Sequence, residues 1–180
     1  MNEILTTLEE ILRKDCKINP QGGVYCLHEV NEPNYPITNI KQKGKLLLYS
    51  FDTEGSNDTL FWLFNSSLKG LTSICDYILF YPFQDTFFVF LCDLKSSQTS
   101  AKVQVETGQV VAQLIIKMLE KHLKFRQKIK IEYRSLVLST SQRAKFSTNM
   151  KQKYVLLEGS NLENKLLKAG QDIFLDNLCF

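Results

Sequence analysis

Two nearly continuous apolar runs lie near the middle of the chain, at residues 73–81 (SICDYILFY) and 86–94 (TFFVFLCDL). Between them, residues 82–85 (PFQD) have the composition of a hairpin turn. Apolar residues occupy almost every position of both runs, a pattern typical of strands that are buried on both faces. The sequence therefore predicts a β-hairpin at the centre of a sheet that other elements cover.

The rest of the chain alternates between helical and strand-like patterns. Helices are predicted at 2–14, 103–122 and 161–169, and strands at 24–30, 45–51, 128–139, 154–157 and 173–178. Residues 59–68 fit either a helix or a strand. The apolar face expected for the second helix comprises Val103, Val110, Val111, Leu114, Ile115, Met118, Leu119 and His122. The predicted fold class is α/β, a mixed β-sheet flanked by helices.

Composition and length are those of an ordinary globular protein that folds as one domain. The 180 residues are 44% hydrophobic and 23% charged, with a net charge of +3, so the overall charge does not demand a polyanionic partner. No apolar run reaches the roughly 18 residues that cross a bilayer. The N-terminal segment is too acidic for a targeting peptide. We therefore expect a cytoplasmic protein without a membrane partner.

The cysteine and histidine content argues against two kinds of small stabilised domain. The five cysteines include no CxxC pair, which does not suit the disulfide framework of a secreted protein and fits a reducing compartment. The two histidines, His28 and His122, have no spaced cysteine partners for a structural zinc site. Cys75 and Cys92, which precede two aspartates, are expected to be small buried core residues.

Two aspartates interrupt the apolar runs of the central hairpin. Asp76 lies in the first run, Asp93 in the second, and Lys95 two residues after Asp93. Residues two apart on a strand share a face, and the hairpin returns the chain beside Asp76. The sequence therefore predicts two carboxylates and an ammonium around one point. Alternatively, Asp93 and Lys95 form an ion pair at an exposed strand end, where such pairs contribute little.

A divalent cation would remove the cost of burying the two carboxylates. Unpaired carboxylates are expensive to desolvate, and oxygen ligands of this kind suit Mg²⁺ or Mn²⁺. The ligands we expect are Asp76, Asp93 and the backbone carbonyl of Leu94, which lies between the other two site residues. Lys95 would then orient a water molecule or stabilise negative charge in a transition state.

The arrangement of Asp76, Asp93 and Lys95 resembles the motif of the PD-(D/E)XK nuclease superfamily. The resemblance covers about residues 45–139 and includes the long helix that follows the motif. It implies a restriction-endonuclease-like αβββαβ core with additions at 1–44 and 140–180. It also implies a Mg²⁺-dependent endonuclease that hydrolyses phosphodiester bonds, with those three residues as the catalytic centre. Of the two nucleic acids, DNA is expected as the substrate rather than RNA. Cys75 stands where members usually have a proline.

The same resemblance implies auxiliary residues around the metal. Many members carry a glutamate on an early helix, and Glu10, Glu9 and Glu54 are the candidates here. A glutamine on the helix after the motif often lies near the metal, and Gln109 or Gln104 fits that position. A chain of this length leaves little room for a sequence-reading domain. The resemblance to the family therefore implies an effector subunit with a protein partner, or a homo-oligomer, and a role in a defence system.

The densest positive charge follows the second helix. Candidates for contacting a phosphate backbone are Lys121, Lys124, Arg126 and Lys128. The preferred interpretation of this stretch is a helix C-terminus whose dipole favours cations, followed by a solvated link.

Two other functions remain open. The first is a non-catalytic, nuclease-like interaction module, which the hydrophobic C-terminus at 175–180 (LDNLCF) mildly favours. The second is an RNA-binding protein without chemistry.

Overall fold

The computed structural model describes residues 2–29, 32–51, 73–95, 101–123, 129–140, 154–156 and 160–180. Within these residues, two α-helices, α1 (Asn2–Ile11) and α2 (Ala101–Leu123), accompany a seven-stranded and a three-stranded sheet. The strands are β1 (Lys17–Ile18), β2 (Tyr25–Leu27), β3 (Thr38–Lys41), β4 (Leu47–Tyr49), β5 (Tyr77–Phe83), β6 (Thr86–Lys95), β7 (Lys130–Ser139), β8 (Val155–Leu156), β9 (Glu163–Lys168) and β10 (Ile173–Phe174). Two short 3₁₀ helices cover Lys14–Cys16 and Leu175–Leu178.

The large sheet has the order β1-β4-β5-β6-β7-β9-β8, and the small sheet the order β10-β3-β2. Strands β4, β5 and β6 are antiparallel neighbours, whereas β6, β7 and β9 run parallel. Helix α2 connects β6 to β7, as a parallel pair requires a crossover. The prediction of an α/β fold with a mixed sheet is confirmed.

Two hydrophobic clusters lie on opposite faces of the large sheet. On the helix side, Leu5 and Leu8 of α1 and Ile116 of α2 pack with Phe80 and Val89. On the other side, the small sheet packs against the alternate residues of the same strands. Every residue of β6 except Lys95 is buried. The prediction that the central hairpin is covered on both faces is confirmed, but one cover is a second sheet and not a helix.

The central hairpin has a tighter turn than the sequence suggested. The register runs from Tyr77 opposite Cys92 to Phe83 opposite Thr86. Only two residues remain for the turn, and the first, Gln84, has a φ of 52°, which is uncommon for a residue other than glycine. The first strand begins at Tyr77, so residues 73–76 lie outside the strand.

Helix α2 confirms the predicted second helix, and its apolar face was predicted correctly in part, since Val111, Ile115 and Leu119 are buried. Val103, Val110, Leu114 and Met118 are 49–65% exposed, whereas Val105 and Ala112 are fully buried. The reason is a close approach at Gly108, where an added Cβ would lie 2.4 Å from the Cys75 sulfur. This contact places the side of the helix that carries Gly108 against the sheet, and Val103, Val110, Leu114 and Met118 face outward.

Tertiary pairing overrides local propensity near the C-terminus. The helix predicted at 161–169 is strand β9, which pairs with β7 from Glu163 to Lys168. The strand predicted at 173–178 stops after Phe174 and becomes a 3₁₀ helix. Strands β1 and β3 were missed because both are short. The ambiguous segment at 59–68 lies outside the described residues.

The C-terminal segment packs onto the body of the protein. Leu175, Leu178 and Cys179 are at most 8% exposed. The buried Arg134 guanidinium donates to the Leu178 carbonyl, and the Tyr154 hydroxyl donates to the same oxygen at 2.9 Å. Among the described helices, neither is both long enough and apolar enough to cross a membrane.

Candidate functional site

Asp76 and Asp93 meet at the open end of the central hairpin. Asp76 lies in a bend just before β5, and Asp93 is the third residue from the end of β6. Asp76 immediately precedes Tyr77, which is opposite Cys92, and it is close enough to Asp93 for its negative charge to raise the pKa of that residue. The Leu94 N–H donates to Asp76 Oδ2 at 2.5 Å and holds that carboxylate in place.

Lys95 completes the cluster on the helix side of the sheet. Its Nζ lies 3.4 Å from Asp93 Oδ1, and the two side chains are 17% and 0% exposed. The ammonium is thus within ion-pair range of Asp93 without the geometry of a hydrogen bond. The structure brings together the three residues that the sequence predicted to be neighbours. We call Asp76, Asp93 and Lys95 the acidic cluster.

Asp93 is the most unusual residue of this cluster. It is fully buried, and within the described part of the chain neither carboxylate oxygen has a hydrogen-bond partner. Burial, and after it the negative charge of Asp76, raise the pKa of Asp93 to about 8 against the opposing effect of Lys95. The alternative interpretation of Asp93 and Lys95 as a surface ion pair at an exposed strand end is therefore wrong.

The two cysteines beside the aspartates belong to the core. Cys75 packs on the helix side, against Gly108 of α2, and Cys92 packs on the small-sheet side. Burial raises the pKa of both thiols well above the usual range. Because the thiolate is the reactive form, neither side chain is suited to act as a nucleophile. The prediction that both are buried core residues is confirmed.

A third acid, Glu29, acts on the cluster from the small-sheet side. Its negative charge raises the pKa of Asp93, as the weakest of several causes. The Tyr77 hydroxyl donates to the His28 carbonyl at 2.8 Å and accepts from the His28 N–H. These two bonds hold the end of β2 beside the start of β5. The sequence did not connect Glu29 to Asp93, because this proximity depends on a contact between residues 49 positions apart.

The acids proposed for an early helix lie elsewhere. Glu9 accepts from Lys17 at 2.6 Å and from Lys45 at 2.8 Å, and these bonds lower its pKa. Glu10 is exposed on α1, and Glu54 lies outside the described residues. Gln109 and Gln104 are half-buried on α2, on either side of Gly108.

The predicted basic contacts lie away from the acidic cluster or outside the described residues. Lys121 is exposed in the last turn of α2. Helix α2 starts at the end of the sheet where β6 stops, and Lys121 follows 20 residues later, about 30 Å along the axis. Lys124, Arg126 and Lys128 lie outside the described residues.

The donor atoms of the cluster fit a small, hard cation. Mg²⁺ is typically held by one or two carboxylates together with water molecules, and Asp76 and Asp93 supply two. In a paired strand the N–H and C=O of one residue point to the same neighbour. The Leu94 carbonyl therefore points to the side on which its N–H binds Asp76. No group of three or more His, Cys, Asp or Glu side chains is placed to hold a metal among the described residues, so the set does not suit zinc.

The chain has no significant match to a family model, a curated protein or a solved structure. The geometry of the acidic cluster therefore carries the functional argument.

Proposed function

We propose that the protein is a metal-dependent nuclease that hydrolyses phosphodiester bonds at the acidic cluster, with DNA rather than RNA as its substrate. The observation that carries this proposal is Asp93, a fully buried carboxylate whose oxygens have no hydrogen-bond partner among the described residues. A second carboxylate and an ammonium lie beside it. A bound cation is the simplest partner that would offset the desolvation of such a group.

The topology around the cluster supports a restriction-endonuclease-like core. Helix α1 precedes three antiparallel strands, β4, β5 and β6, and α2 then leads to β7, parallel to β6. This is the αβββαβ order that the sequence motif implies. This assignment moves α1 from the N-terminal addition at 1–44 into the core; β1, β2 and β3 stay in that addition, and β8, β9 and β10 belong to the C-terminal addition.

Each residue of the cluster has a separate task in the proposed reaction. Asp76 and Asp93 would hold Mg²⁺ with the Leu94 carbonyl, and the ion would lower the pKa of a bound water and neutralise charge on the phosphate. The Leu94 N–H keeps the Asp76 carboxylate turned towards Asp93. The Lys95 ammonium would orient the attacking water or stabilise the negative charge of the transition state.

Burial strengthens these electrostatic effects. The walls around Asp93 come from apolar core residues, such as Leu91 on its own strand and Val137 opposite it on β7. Charges attract more strongly in this environment than in water. The same environment makes an empty cluster unfavourable, because Lys95 provides only one positive charge for two carboxylates.

A cleavage assay with the full chain tests the proposal. Labelled single-stranded and duplex DNA and RNA are incubated with the protein in Mg²⁺, in Mn²⁺ or in EDTA. Asp93→Asn and Lys95→Gln should lower the cleavage rate by about 10³-fold or more, because each removes charge stabilisation at the reacting phosphate. Asp85→Asn, in the turn at the other end of the same hairpin, is the matched control.

The outcomes are separable. Metal-dependent cleavage that is lost in Asp93→Asn and kept in Asp85→Asn supports the nuclease. Cleavage that persists unchanged in Asp93→Asn and Lys95→Gln indicates a contaminating enzyme and refutes the site.

The second candidate is a non-catalytic interaction module, possessing the fold without the reaction. In the C-terminal segment, Leu175, Leu178 and Cys179 are buried and Phe180 is 78% exposed, so Phe180 is the apolar side chain of this segment that a partner could contact. A row of exposed apolar side chains on α2 favours this candidate, because such patches often bind other proteins. The row consists of Val103, Val110, Leu114 and Met118. Calorimetry with Mn²⁺ discriminates the two functions, because a module without a metal site should give no binding heat.

A further inference from the structure

We propose that Lys168 binds a phosphate of the substrate strand close to the phosphate that is cleaved. The strand would run along the carboxyl ends of β6, β7 and β9, on the helix side of the sheet. This inference rests on the proposed nuclease function and adds the path of the substrate.

The register of three parallel strands places Lys168 in line with Lys95. Lys95 pairs with Ser139 of β7, and Ser139 pairs with Lys168 of β9. All three residues end their strands, and paired residues direct their side chains to the same face. Ligands of open α/β sheets bind outside the carboxyl ends of parallel strands, which is where this row lies.

Neighbouring lysines on β9 have different orientations. Lys165 is three residues before Lys168 and therefore faces the opposite side of the sheet. It is 6% exposed and lies over the Tyr154 ring, with Nζ 5.2 Å from the ring centroid. Lys168 is exposed, and among the described residues it has no carboxylate in ion-pair contact. Its ammonium is thus available to an anionic ligand.

The small-sheet side of this edge is closed. The Tyr35 hydroxyl donates to the Leu138 carbonyl at 2.6 Å. The Gly170 N–H donates to Thr38 Oγ1 at 2.9 Å, and an added Cβ at Gly170 would lie 2.7 Å from Pro36. Residues 35–38 therefore pack directly over the ends of β7 and β9. A strand of nucleic acid has to approach from the helix side, which Lys95 and Lys168 face.

The spacing of the row suits successive phosphates. Adjacent strands are about 4.8 Å apart, so Lys168 is about 10 Å from Lys95 across β7. A nucleic-acid strand advances about 3.4 Å per nucleotide. Because successive phosphates follow the backbone, they are farther apart than this rise along the helix axis. A phosphate held at Lys168 is then fewer than three nucleotides from one held at Lys95.

Salt-dependent binding tests the contact without cleavage. The full chain in EDTA is titrated with a fluorescein-labelled 20-nucleotide single-stranded DNA of mixed sequence, between 50 and 400 mM salt. Losing one phosphate contact should lower the slope of log K against log salt by about 0.7. If the variant and the wild type bind equally at 1 M salt, the variant should bind about fivefold more weakly than the wild type at 0.1 M salt. Lys168→Gln should show this loss and Lys168→Arg should not. Lys43→Gln, an exposed lysine in the loop between β3 and β4, changes the net charge equally and should match the wild type.

Three results overturn the inference: an unchanged slope in Lys168→Gln, an equal loss in Lys43→Gln, or no binding by the wild-type chain. Cleavage in Mn²⁺ is measured separately. A chain that binds through Lys168 but never cleaves refutes the nuclease and retains the phosphate contact. A chain that cleaves with the same KM in Lys168→Gln refutes the contact alone.

Discussion

Replacing Asp93 by asparagine should stabilise the metal-free protein at neutral pH. The change keeps the shape of the side chain and removes its charge. Because burial raises the pKa of Asp93 from 3.8 to about 8, the folded state holds a proton that the unfolded state releases above pH 4. Folding is then favoured by this group below pH 3.8, and that contribution is lost progressively as pH rises to 8.

The size of the effect follows from the separation of the two pKa values. Each pH unit between them costs about 1.4 kcal/mol of unfolding free energy. At pH 7 the contribution of the Asp93 carboxyl to the free energy of unfolding is about 4 kcal/mol smaller than at pH 3.8. The contribution of an asparagine side chain does not change with pH. For a chain of this size the variant should melt on the order of 10 °C higher at pH 7. At pH 4 the two proteins should be nearly equal.

Urea denaturation in EDTA at pH 5, 6, 7 and 8 measures this difference. The free-energy gap between Asp93→Asn and wild type should widen by about 1.4 kcal/mol per pH unit from pH 5 to pH 7. Asp85→Asn, with an exposed carboxylate in the hairpin turn, should show no such trend. If Asp93→Asn is as stable as wild type or less stable at pH 8, the Asp93 carboxylate has a stabilising partner and the reasoning fails.

Three further predictions concern the metal, the helix contact and the C-terminus. Saturating Mn²⁺ at 100 times its Kd should stabilise wild type by about 2.7 kcal/mol in a thermal melt, and an equal rise in Asp93→Asn would contradict the site. Gly108→Ala should destabilise the protein by about 1–3 kcal/mol, measured by urea denaturation. Adding Cys75→Ala should recover most of that loss, and simple additivity would exclude a contact between the two residues. Arg134→Met should lower stability by about 1–3 kcal/mol because the Leu178 carbonyl loses a charged donor. The C-terminus of this variant should also be digested faster by a protease. An unchanged digestion rate would show that Arg134 does not hold this segment.

The central hairpin and its acids were predictable because the contacts involved are local. The residues that form β5 and β6 carry their own turn, and the period of a strand fixes which side chains share a face. Asp93 and Lys95 are two residues apart, so their proximity follows from any strand conformation. Asp76 needed only the hairpin register, although it lies before the strand and not within it.

The surroundings of the site were not predictable because they depend on distant contacts. Helical periodicity identified α2 and the buried Val111, Ile115 and Leu119, but it could not reveal the tight contact between Gly108 and Cys75 that lies on the buried side of the helix. Strand β9 has a helix-like sequence, and its pairing with β7 decides its conformation. Lys168 therefore could not be oriented before the structure, and Glu29 could not be connected to Asp93.

The acidic cluster puts stability and the proposed function in opposition at one residue. A core position such as Asp93 is most stable with an apolar or neutral side chain, because a carboxylate there loses its hydration and gains one ammonium at 3.4 Å. With Asp76 and Glu29 adding negative charge nearby, Lys95 cannot balance the site. An external cation would supply the missing charge, and it would do so at the end of the sheet where a phosphate can approach. The stability gain expected for Asp93→Asn and the loss of cleavage expected for the same variant are therefore two consequences of one buried carboxyl group that is costly to ionise without a cation.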